Sequence, residues 1–159
     1  MRFTKQFEMV ALMTWLAVIG SRLVAAPSAG HAHAHPAEGP HHGTLIELGK
    51  EDYHAELVHD HATDTVTIYI LDSSATKSVL IGAKQVTLNM RAGGKPQQFA
   101  LAAEPQKGDA PGSASAFTAK SKELCRAIDE PGASGRLNVE IGGKIYVGKV
   151  GGHSHIHRH

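Results

Sequence analysis

From Thr44 onward the chain alternates apolar and polar residues over short runs separated by turn-forming residues. The clearest run is TVTIYIL, Thr65 to Leu71, which puts Val66, Ile68 and Ile70 on one face and Thr65, Thr67 and Tyr69 on the other. That period of two is the mark of a half-buried strand. TLIEL (Thr44 to Leu48) and YHAELVH (Tyr53 to His59) precede it, and Gly49 to Asp52 joins them as a four-residue hairpin turn. In that hairpin Leu48 is expected opposite Tyr53. Downstream come a loop from Leu71 to Ser78, a short apolar run VLIG (Val79 to Gly82), and QVTLNM, Gln85 to Met90, with Val86, Leu88 and Met90 on one face. Gly93 and Gly94 then turn the chain into QQFALAAE, where Phe99 and Leu101 alternate. Pro105 to Ser115 is rich in Gly, Pro, Ser and Ala and reads as a loop. A brief strand AFTA and a short helix in KELCRAID follow, and RLNVEI and KIYVGKV flank Gly142 and Gly143 as a closing hairpin.

These elements predict an all-β fold of seven or eight short antiparallel strands with at most one short helix. A sandwich or a barrel satisfies the pattern, and the polar outer faces favour the sandwich. No internal repeat of solenoid length is present.

The first residues have another character. Arg2 and Lys5 precede the apolar run Val10 to Gly20, and small residues follow at Ala25 and Ala26, which is the layout of a secretory signal peptide. The run is about half the roughly 20 residues a spanning helix needs, so no membrane span is expected after cleavage. The cleavage bond is open among Ala25, Ala26 and Ser28. The expected organisation is a signal peptide over 1–28, a disordered His-rich arm over 29–42, a β-sandwich domain over 43–150 and a His-rich tail over 151–159. The mature protein is then periplasmic or secreted. Loss of Arg2, Lys5 and Arg22 together with Glu8 takes the formal charge from +1 to −1. No polybasic patch for nucleic acid is evident.

Cys125 is the only cysteine, so the domain has no internal disulfide and relies on its core. Leu124 and Ile128, four apart, place Cys125 beside the buried face of the short helix. With Met1, Met9 and Met13 in the signal peptide, only Met90 and Cys125 remain as sulfur donors, which disfavours a sulfur-based Cu(I) site.

The chemistry lies in the placement of imidazole. Of twelve histidines, five fall between Gly39 and Asp64 and none between His61 and His153. His31, His33 and His35 alternate in the arm, and His153, His155, His157 and His159 alternate in the tail. In an extended chain alternate side chains point the same way, about 6.5–7 Å apart. Each tail therefore presents several imidazoles together, a donor set for Zn, Cu(II), Ni or Co that releases metal below the reference imidazole pKa of roughly 6.5. Cleavage after Ser28 would also expose Ala29, Gly30 and His31 as a square-planar Cu(II) or Ni(II) site.

If the first hairpin ladder continues past Thr44, His42 falls opposite His59 and His41 opposite Asp60, with His61 in the next turn. His41, His42, His59, His61 and Asp60 are therefore the candidate metal ligands of the domain, and His54 is placed toward the other end. A slip of one residue would reverse every face. The competing expectation is that these are polar loop residues. The carboxylates of Asp129 and Glu130 read as solvated turn charges, and the tyrosines as strand packing. No nucleophile elbow, HExxH helix or phosphate loop is present, so no enzyme activity is expected.

At GPHHGTLIELG and YHAELVHD the chain resembles two groups. One is the histidine-rich amino-terminal segment of periplasmic adaptors of heavy-metal efflux systems of the resistance-nodulation-division class, which carry a GPHGG-like motif before a strand. Gly39, Pro40, His41 and Gly43 match it, and His42 stands in place of a glycine. No helical hairpin or lipoyl-like segment accompanies the motif. The other group, small exported proteins of the kind found in planctomycetes, has similar GPH, HAELVHD and GKIYVGK-like segments and a His-rich end. The resemblance implies a metal context. The expected function is an exported binding protein for divalent transition metal that buffers it or hands it to an efflux or cell-envelope partner. The alternative is an envelope interaction or structural module with incidental histidines.

Overall fold

The computed structural model describes residues 38–151. Eight strands and one helix follow in order: β1 (Thr44–Leu48), β2 (Tyr53–Asp60), β3 (Thr65–Leu71), β4 (Gln85–Ala92), β5 (Lys95–Ala103), β6 (Ala116–Lys120), α1 (Lys122–Asp129), β7 (Ser134–Ile141) and β8 (Lys144–Gly151). All pairings are antiparallel, and the strands form one sheet in the order β1-β2-β3-β6-β5-β4-β7-β8. The all-β architecture, the strand number and the single helix are as the alternation predicts. Hydrogen bonding runs through a single sheet that curls until its two ends nearly meet.

That near closure depends on Gly148. A β-carbon there would run into the Ile46 side chain and lie 2.9 Å from Leu48 Cδ2 and 3.0 Å from the Glu47 carbonyl oxygen. The missing side chain lets the last strand lie against the first. The inward residues of all strands then share one core, with Ile68, Ile70, Leu88, Leu101, Phe117 and Leu137 fully buried.

Helix α1 covers part of this core. Ser121 caps it by accepting from the Leu124 amide at 3.2 Å, and Leu124, Cys125, Ala127 and Ile128 are buried. It packs against β3 and β4 and ends at Asp129.

The run VLIG joins the fold by a bond from the Val79 amide to the Ile70 carbonyl at 2.8 Å and by a bridge between Ile81 and Ala114, with reciprocal amide–carbonyl bonds of 3.0 Å. One expectation is corrected. Glu38 to His42, expected within the disordered arm, are part of the fold: Glu38 bridges to Thr44, and the Gly39 amide bonds the Gly43 carbonyl at 3.0 Å. The rest of the arm and the signal segment lie outside the described residues.

Candidate metal centre

The register of the first hairpin is the one expected. Leu48 pairs with Tyr53 and Thr44 with Leu57. His59 shares the inward parity of Ala55 and Leu57 but stands near the end of β2, beyond the last β1 pairing. There the carboxyl end of α1 lies over it, and its side chain is only 7% exposed. His61, in the turn that follows, is 68% exposed and stacks obliquely on His59, with ring centroids 4.0 Å apart.

Asp129 completes the group. Its Oδ1 lies 3.5 Å from His59 Nδ1 and its Oδ2 lies 3.6 Å from His61 Nδ1. One ligand atom from each of the three residues falls within 4.8 Å of the others. Good N–H···O hydrogen bonds close to about 2.7–3.2 Å, so these separations are too long for strong direct bonds. Each is close to the roughly 3.4 Å that separates two ligands standing about 2.0–2.1 Å from a tetrahedral ion. Asp129 is also the last residue of α1, where the aligned peptide dipoles favour a cation.

His42 reaches the same place from the other side. With His59, His61 and Asp129 it lines a cavity of about 160 Å³. Its backbone is in the left-handed region (φ 62°), and its Nδ1 lies 3.8 Å from Glu38 Oε2. His42 and His59 thus meet at one end of the sheet, although the ladder itself ends at Thr44.

His41 does not join them. The turn folds it onto the outer face, where its ring stacks on Tyr69 with centroids 3.7 Å apart and its Nδ1 lies 2.7 Å from Glu56 Oε2. Glu56 is fully buried, and its Oε1 accepts from the His41 and Gly43 amides, each at 2.7 Å. A β-carbon on Gly39 would lie 2.7 Å from Glu56 Oε2, and one on Gly43 would lie 2.8 Å from both Glu56 Cγ and Val58 Cγ2. The two glycines of GPHHG are therefore the space this carboxylate occupies. In this chain the motif is a clamp around Glu56, and His42 is the imidazole it presents to the cavity.

Asp60 is likewise withdrawn from the site. Its Oδ1 accepts from the Ala62 amide at 2.8 Å and its Oδ2 from the Thr63 hydroxyl at 2.8 Å, closing the turn between β2 and β3. The Thr63 bond, followed by the Ala62 amide, holds the carboxyl below its ordinary pKa. His54 is buried elsewhere, with Nδ1 3.2 Å from the Asp72 carbonyl oxygen. Burial raises the pKa of the Cys125 thiol, and nearby Asp64 and Asp129 add to the effect. It is a core residue with little thiolate character at neutral pH.

The five expected domain ligands thus divide three and two: His59, His61 and His42 line one cavity, while His41 and Asp60 serve the turns on either side. Asp129 replaces Asp60 as the carboxylate. The sequence marks it only as the end of a short helix, because its approach to His59 is a long-range contact. His31, His33, His35, His153, His155, His157 and His159 lie outside the described residues.

The chain matches no protein-family model, and no curated protein or solved structure matches it.

Proposed function

We propose that the protein is an exported binding protein for divalent transition metal, Zn, Cu(II), Ni or Co, held by His59, His61 and Asp129 with His42 beside them. The spacing of two imidazole nitrogens about one carboxylate supports this reading. Nitrogen and oxygen donors suit these ions and exclude a preference for Cu(I). A site at the surface, with one ligand buried and two reachable from solvent, suits loading and release more than permanent structural retention. The His-rich tails act as collectors that raise the local metal concentration, and an efflux or envelope partner takes the metal onward.

Calorimetry at neutral pH tests the proposal in a full chain whose seven tail histidines are replaced by serine. One divalent ion per chain is expected, with affinity falling at least about tenfold in His59→Ala and in Asp129→Asn. Binding that is absent, or unchanged in both variants, refutes the site and leaves the domain as an interaction or structural module.

A further inference from the structure

A second concave region shares no residue with the histidine cavity. It is an open groove of about 890 Å³ lying across β5, β4, β7 and β8. Ladder register builds one of its walls: Gln98 stands opposite Asn89, Asn89 opposite Arg136, and Arg136 opposite Lys149. Directly paired residues share a face, so these four form a row across four strands. With neighbouring strands about 4.8 Å apart, the row is roughly 14 Å long. Arg91, opposite Ser134, lies one two-residue step along the same face.

The charges in this row are segregated. Three cations line the cavity and no carboxylate does, in a chain whose basic and acidic residues nearly balance. Among the described residues, none of the three makes an ion pair. Arg91 donates only to the Gly94 carbonyl at 3.2 Å, whereas Lys144 on the same sheet has Asp52 at 3.6 Å. Beside the cations, at the β5 end of the row, stand two amides already aligned by a bond from Gln98 Nε2 to Asn89 Oδ1 at 2.8 Å.

We infer that this groove binds an acidic saccharide chain, its carboxylate or sulfate groups on Arg91, Arg136 and Lys149 and its hydroxyls on Asn89, Gln98 and Ser134. Guanidinium forks bind planar oxyanions in pairs of parallel hydrogen bonds, and amides and hydroxyls exchange bonds with sugar hydroxyls. The volume is within the range of small-ligand sites. Other anions fit less well. Single-stranded nucleic acid is held by bases stacked on aromatic rings, and no aromatic residue lines the groove. An acyl chain needs exposed apolar surface, whereas the large apolar members of the lining, Met90 and Val150, are buried in the core.

The test is titration of the full chain, with chelator present and at mildly alkaline pH so that metal and charged tail imidazoles do not contribute. The probes are fluorescent oligogalacturonate, sulfated oligodextran, neutral oligodextran and oligothymidylate. One or both acidic saccharides are expected to bind and the neutral one not, the carboxylated and sulfated arms identifying the group preferred. Affinity should fall at least about tenfold between roughly 50 and 250 mM salt. The double substitution Arg136→Gln and Lys149→Gln should weaken binding at least about tenfold while leaving metal binding at His59 unchanged. No binding of either acidic saccharide overturns the inference. So does undiminished binding by the double variant, and oligothymidylate binding as tight as the saccharides would show an unselective cationic patch instead.

Discussion

Replacing Glu56 by alanine should loosen the turn that carries His41 and His42. The carboxylate is fully buried and accepts two backbone amides at 2.7 Å, of which the Gly43 bond is itself buried. Bonds to a charged acceptor are worth about 1.5–3 kcal/mol each, and a buried donor left unsatisfied costs about 1–3 kcal/mol. Partial exposure of His41 lets water replace one of the two bonds, which reduces the sum. The expected loss is therefore about 3–4 kcal/mol, a large part of the roughly 5–15 kcal/mol of a typical domain. For a domain of this size that corresponds to a fall in Tm of roughly 10–20 °C. Thermal and urea unfolding followed by circular dichroism measure the loss, and hydrogen exchange at the Gly43 amide locates it. Glu56→Gln keeps an acceptor for the amides and should lose about half as much. A change below about 1 kcal/mol in Glu56→Ala, with Gly43 still protected, would refute the clamp.

Other perturbations probe separate parts of the structure. Gly148→Ala places a methyl against Ile46, Leu48 and the β1 backbone and should destabilise the domain by about 1–3 kcal/mol in urea titration, without altering metal affinity. Asp60 has a lowered pKa in the fold, so its contribution is present above the ordinary value of 3.8 and is lost as pH falls through the lowered one. Asp60→Asn should accordingly flatten the acid limb of the stability profile, measured by unfolding midpoints across that range. The Cys125 thiol, raised by burial, should react with a disulfide reagent only after unfolding, so that the rate in the native protein follows the denaturant concentration.

Strand number, hairpin register and the short helix are local matters, and the sequence contains them. Alternation in TVTIYIL and the turn at Gly49 to Asp52 specify β3 and the β1–β2 pairing, because a slip of one residue would expose Ala55 and Leu57. The histidine pattern likewise identified an end of the sheet, but not which rings would face one another.

What only the tertiary structure decided was the burial of Glu56, the wrapping of the sheet and the arrival of Asp129. Glu56 looks like an outward residue of β2 until GPHHG folds over it, and that contact takes His41 out of the candidate site. The near approach of β8 to β1 depends on Gly148, far along the chain from the residues it meets. Asp129 meets His59 and His61 because α1 ends above the last residues of β2. Contacts between residues so far apart leave no period or spacing to read. They follow from how the curled sheet and its helix share one core, and that packing brings His59, His61 and Asp129 together.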